Sequence, residues 1–135
     1  MDCIIIGDSI AVGTSSVRRE CSSFSVVGIN SSNWNKKFST LDVSARSVII
    51  SLGTNDFNHV ITMKELTALR SRINADKVFW ILPPCNSSFC KPEINNVVKS
   101  LADSYGDWVI RTNKLSKDNI HPSRAGYQEI AEITR

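Results

Sequence analysis

A serine closes the run Ile4-Ile5-Ile6-Gly7-Asp8-Ser9, whose apolar β-branched residues read as a buried strand. A hydroxyl in that place is a poor nucleophile alone. To attack a carbonyl it needs a base for its proton, a group that orients the base, and N–H donors for the developing oxyanion. In Asp118-Asn119-Ile120-His121-Pro122 a carboxylate stands three residues before an imidazole. That is close enough to fold back onto one ring nitrogen and leave the other facing Ser9. Pro122 suits the first position of a helix, which would make His121 its cap residue. Gly28 and the turn Gly53-Thr54-Asn55-Asp56 are the other unusual polar or flexible positions. Each has a plainer reading: Asp8 and Ser9 as a helix cap, Asn55-Asp56 as a turn, Gly28 as a residue with an unusual backbone angle, Asp118 and His121 as turn and cap. Their order along the chain outweighs these separate readings.

The elements that must position these residues alternate. Strands are expected over 3–7, 24–28, 47–52, 77–82 and 107–111, the third being the most strongly patterned, with Val48-Ile49-Ile50 stopping at Gly53. Helices are expected over 10–20, 34–41, 63–73, 92–105 and 122–134. Thr62 and Glu65 make a capping box for the third, Pro92 starts the fourth and Gly106 closes it. Five short strands separated by helices imply a parallel sheet covered on both faces, because crossovers between parallel strands need helices. The expected fold class is α/β, a three-layer α/β/α sandwich of doubly wound type. Ser9, Gly28, Asn55 and the 118–121 segment then all follow strands and share the carboxyl edge, where such sheets bind ligands.

With 135 residues and 41% hydrophobic content, the chain is long enough for one core and reads as a single domain over 1–135. A formal charge of +3 comes from Lys and Arg spread along the chain without a long basic run, which is a solvated surface rather than a nucleic-acid site. No apolar stretch approaches membrane-spanning length and no signal-peptide pattern opens the sequence, so a cytoplasmic protein as synthesised, with no membrane partner, is expected. Cys3, Cys21, Cys85 and Cys90 lack zinc-site spacing. Free thiols are expected for them, although Cys85 and Cys90 could close one loop under oxidising conditions.

The segments Gly7-Asp8-Ser9-Ile10, Gly28, Gly53-Thr54-Asn55-Asp56 and Asp118-Asn119-Ile120-His121-Pro122-Ser123 together resemble the four sequence blocks of the SGNH hydrolases, the GDSL esterase and lipase family. The likeness runs on into Gly126-Tyr127 and Ile130-Ala131. It implies a flavodoxin-like sheet, Ser9 as nucleophile, His121 as general base and acid, and Asp118 as its orienting carboxylate. It further implies an oxyanion hole made by the Ser9 and Gly28 backbone N–H groups and the Asn55 amide, with no metal and no organic cofactor. Ile10 replaces the leucine of the family's naming motif, and Ser31 stands about where the second block often carries another glycine. The Gly-x-Ser-x-Gly elbow of the α/β-hydrolases is not met, since Ala11 occupies its second glycine position.

The expected reaction is hydrolysis of a carboxylic ester through an acyl-enzyme. A chain this short leaves little room for a lid or deep acyl tunnel, which favours a small acyl group, such as acetyl, on a carbohydrate or cell-wall polysaccharide. An esterase released by lysis would fit that description. Trp34, Phe57, His59 and the 85–90 loop are the candidate cleft walls, packing being an equal alternative for the aromatics. A lysophospholipase or thioesterase is the second expectation. A non-catalytic flavodoxin-like binding domain is the third, weakened by the absence of a Gly-Lys-Ser/Thr loop or Gly-x-Gly-x-x-Gly fingerprint.

Overall fold

A computed structural model describes residues 2–85 and 90–135. Strands and helices alternate as β1 Cys3–Gly7, α1 Ser9–Val17, β2 Ser22–Ser25, α2 Ser31–Lys37, β3 Val43–Ser51, α3 Thr62–Ser71, β4 Ile73–Ile81, α4 Pro92–Tyr105, β5 Trp108–Ile110 and α5 Arg124–Ile133. The strands pair in the order β2-β1-β3-β4-β5, every pair parallel. Alternation along each strand divides the core in two. Ile4, Ile6, Val48, Ile50, Val78 and Trp80 pack with Trp34, Leu66, Leu69 and Val98 on one face. Ile5, Ile49, Phe79 and Ile81 pack with Ile10, Ala11 and Ile130 on the other. Helices α2, α3 and α4 therefore cover one side and α1 and α5 the other, giving the expected α/β/α sandwich. Chain connections leave β1 in one direction and β3 in the other, so the crevice between them opens at their carboxyl ends.

The crevice is built on a tight approach. Gly7, at φ +143, lies so close to β3 that a Cβ there would fall onto the Ser51 carbonyl oxygen, and only glycine accepts both conditions. The Asp8 N–H donates to that same carbonyl at 3.0 Å. Farther along the sheet, Arg70 makes a two-pronged pair with Asp107 at 2.7 and 2.9 Å, and Trp80 Nε1 donates to the same carboxylate. This buried pair fastens α3 to β4 and the approach to β5.

Several element ends differ from expectation. α1 stops at Val17, not residue 20, and α2 starts at Ser31 because the Asn30 side chain accepts from the Asn33 N–H. β2 lies over Ser22–Ser25, earlier than residues 24–28, and β3 and β4 each begin four residues sooner. The capping box at α3 does not form. Ile61 is the cap residue, Thr62 donates its hydroxyl to Asp56, and the Glu65 carboxylate accepts from Asn35. Ile73 leaves the helix and starts β4. The expectation of free thiols is also overturned. Cys3 is joined to Cys21 with Cα atoms 4.8 Å apart, and Cys85 to Cys90, so no free cysteine remains. Pairing of Ile4 with Ser22 explains the first bridge, because that register sets Cys3 beside Cys21.

Candidate active site

Ser9 is the first residue of α1, directly after its cap, Asp8, whose carboxylate accepts from the Ile10 N–H at 3.0 Å. A serine at that point is fixed by both the strand behind it and the helix ahead of it. Its Oγ lies 2.9 Å from His121 Nε2, across 112 residues of sequence. His121 Nδ1 lies 2.6 Å from Asp118 Oδ2. An ionised carboxylate can only accept, so the ring proton sits on Nδ1 and leaves Nε2 as the acceptor for the serine hydroxyl. That is the tautomer in which an imidazole can take a proton from Ser9.

The segment holding His121 is a closed loop. Asp118 Oδ1 accepts from the backbone N–H groups of Ile120 and His121, at 2.9 and 3.0 Å, and from the Ser116 hydroxyl at 2.9 Å. The His121 side-chain bond first, then these donors, hold the Asp118 carboxyl well below the usual carboxylate range. Ser116 N–H donates to the His121 carbonyl at 2.9 Å. Asn119 takes φ +58 to turn the loop. The expected helix start at Pro122 is corrected here: Pro122 is drawn into a bridge with Leu115, and Ser123 is the cap of α5, accepting from the Gly126 N–H. His121 is thus a loop residue one turn ahead of the helix. Ser116 was not singled out in the sequence, though a serine two residues before an aspartate is a recognisable turn-forming pair.

The donors expected for an oxyanion are placed unequally. Asn55 lies on the turn after β3, and its Nδ2 donates to the Ile29 carbonyl at 3.2 Å, leaving a second amide hydrogen. Gly28 stands on the loop after β2 at φ +78, exposed, with open space where a side chain would be. That loop is tied to β1 by Val26 N–H to the Gly7 carbonyl, 2.9 Å. Gly28 makes no hydrogen bond to Ser9 or Asn55 among the described residues.

Beneath the serine, Asp8 is fully buried, with Oδ1 accepting from Ile10 N–H and the Ser51 hydroxyl and Oδ2 unpartnered among the described residues. Burial pushes its carboxyl up to about 6. Tyr127 packs its ring over Gly13, and burial, then the charges of Asp8 and Asp118, push its phenol up to about 12.

The aromatic candidates separate. Trp34 is fully buried, packs at a tilt against Phe38 and donates its Nε1 to the Phe24 carbonyl, so it is core and not a cleft wall. Phe57 is 57% exposed and, with Ile61, Met63, Lys91 and Val97, lines a groove of ≈ 410 Å³ beside Asp56. The Lys91 ammonium sits 4.1 Å from the Phe57 ring centre. His59 is exposed but is not among the groove's lining residues. Of the 85–90 loop, residues 86–89 lie outside the described residues; Cys85 borders a smaller pocket with Pro83, Pro84, Asn95 and Arg111. Among the described residues no three His, Cys, Asp or Glu side chains converge as metal ligands would, and no helix is long and apolar enough to cross a membrane.

A parallel sheet of order 2-1-3-4-5, with Ser9, His121 and Asp118 hydrogen-bonded in series at its carboxyl edge, is a flavodoxin-like α/β arrangement. No family model matches the chain, and no curated protein is similar to it in sequence. Solved structures are similar in fold. A GDSL-like lipase from Bacteroides thetaiotaomicron VPI-5482 superposes with TM-score 0.71 at 15% identity, over 97% of this chain and 84% of that one. A protein of Bacteroides fragilis NCTC 9343, provisionally described as an acylhydrolase, gives 0.70 at 15% identity over 97% and 83%. A provisionally described lipolytic protein of the G-D-S-L family from Desulfitobacterium hafniense DCB-2 gives 0.63 at 15% identity over 97% and 95%. The chain has the fold of the SGNH, or GDSL, hydrolases.

Proposed function

We propose that this chain is a serine esterase that transfers an acyl group from a carboxylic ester to water. One observation carries the reading: the unbroken hydrogen-bonded series from Ser9 Oγ through the His121 ring to Asp118. In the first half-reaction His121 Nε2 takes the Ser9 proton as Oγ bonds to the ester carbonyl carbon. The tetrahedral oxyanion is held by the Ser9 and Gly28 N–H groups and the free Asn55 amide hydrogen. The C–O bond to the alcohol then breaks and His121 protonates the departing oxygen. Water repeats the sequence and releases the acid, restoring Ser9.

The substrate we favour is a short acyl ester, such as acetyl, on a carbohydrate. The His121 and Asp118 side chains are 40% and 45% exposed, which supports an open site that a large alcohol can approach from solvent. The apolar groove bearing Phe57, Ile61 and Met63 favours a second reading, an acyl hydrolase for longer chains such as a lysophospholipase or thioesterase. Two measurements test these statements. A fluorophosphonate should label the native chain and not Ser9→Ala, and labelling of the variant would remove Ser9 from the reaction. Acetyl p-nitrophenyl esters should be cleaved faster than octanoyl ones; the reverse order would select the second reading.

A further inference from the structure

Three segments meet on one residue, Asp56, that the proposed reaction does not use. Asp56 is 2% exposed. Its Oδ1 accepts from the Ser31 N–H at 2.9 Å, and its Oδ2 from the hydroxyls of Ser31 at 2.7 Å and Thr62 at 2.8 Å. Its own carbonyl accepts from Lys91 Nζ. It thereby holds the Ile29–Ser31 turn after β2, the start of α3 and the approach to α4. Asn55, the neighbouring residue, donates its amide to Ile29, inside that turn. The same turn is thus gripped twice, once by the side chain proposed to meet the oxyanion and once by the carboxylate beside it.

We infer that Asp56 is a positioning residue for acyl transfer: through Ser31 it fixes the Ile29 carbonyl that aligns the Asn55 amide. The inference rests on the esterase reading above. Ser31 brings both its N–H and its hydroxyl to Asp56, so the turn is held by a carboxylate and not by backbone freedom alone. Both Ser31 groups are spent there, while the Asn55 amide keeps one hydrogen beyond its bond to Ile29. A loosened turn would misplace that amide in the transition state while leaving ground-state binding nearly intact.

The test is a double-mutant cycle on p-nitrophenyl acetate. Asp56→Asn puts a donor where two hydroxyls or an N–H already donate, and Ser31→Ala removes one of the three bonds. Both should lower kcat, Asp56→Asn by about tenfold or more, with KM within about twofold. Combined with Asn55→Ala, neither should slow the enzyme further, because the amide they align is gone. Additive losses, or a fall in KM-dependent binding alone, would overturn the inference. Should Asp56→Asn fail to fold, the Ser31→Ala cycle decides by the same criterion. An Asn55→Ala enzyme as fast as the native chain would overturn the inference together with the donor role of Asn55. Loss of Ser9-dependent labelling would instead be the mark of a failed esterase reading.

Discussion

The Asp118 side chain is a little under half exposed, yet four hydrogen bonds converge on it, and the two consequences can be separated. Its depressed folded-state pKa adds stability above the unfolded carboxylate value that is lost as pH falls through the folded one. Its second effect is on the ring: Asp118→Asn should fold normally but lower kcat on the order of a thousandfold, because an amide can present its NH2 to Nδ1 and select the wrong tautomer. Single-turnover kinetics with circular dichroism would check both halves. Asp8 works in the opposite direction. Its carboxyl is raised to about 6, so between about pH 4 and pH 6 the unfolded chain releases this proton while the folded one keeps it. Folding is therefore disfavoured progressively across that window, and the loss is complete above it. The stability of Asp8→Asn relative to the native chain should improve by about 2 kcal/mol between pH 4 and pH 7, as read by urea unfolding at each pH. A constant difference would mean that Asp8 does not titrate there. These residues divide by legibility. Ser9, Asp118 and His121 could be picked from the sequence because their spacing suggested chemistry. The burial of Asp8 and the role of Ser116 could not, because both depend on neighbours brought by folding.

At the level of elements, strand interiors were more legible than ends. Ile4-Ile5-Ile6 and Val48-Ile49-Ile50 declare buried strands by composition, and the parallel sheet follows. Ends are set by tertiary competition: Thr62 had the right neighbours for a cap yet binds Asp56, and Pro122 had the right geometry to open a helix yet pairs with Leu115. The Cys3–Cys21 bridge belongs to the same class, since it depends on the register of β1 with β2 and not on any spacing along the chain. It encloses the whole of α1, and so the mount of Ser9. Replacing both residues by serine should lower the unfolding free energy by roughly 3 kcal/mol, the scale for a closed loop of this length. Native chain in reductant should lose at least as much, because Cys85–Cys90 opens as well. Equal stability in both states would mean that the bridge adds nothing.

Across the whole molecule, the sheet order explains why scattered sequence blocks gather along one edge. β1 and β3 lie side by side at the centre, so the ends of strands that are far apart in sequence come together over the crevice. The order of the blocks was readable, and so was the edge on which they gather. What the groove beside Asp56 would hold was not, because an exposed Phe57 and a buried Trp34 look alike until packing separates them. The Ser9 hydroxyl and the His121 imidazole come from residues 112 positions apart. On the esterase reading, translation must therefore pass His121 before the Ser9 hydroxyl has its base. By the same reading, a chain cut anywhere between these two residues would keep the nucleophile and lose its base.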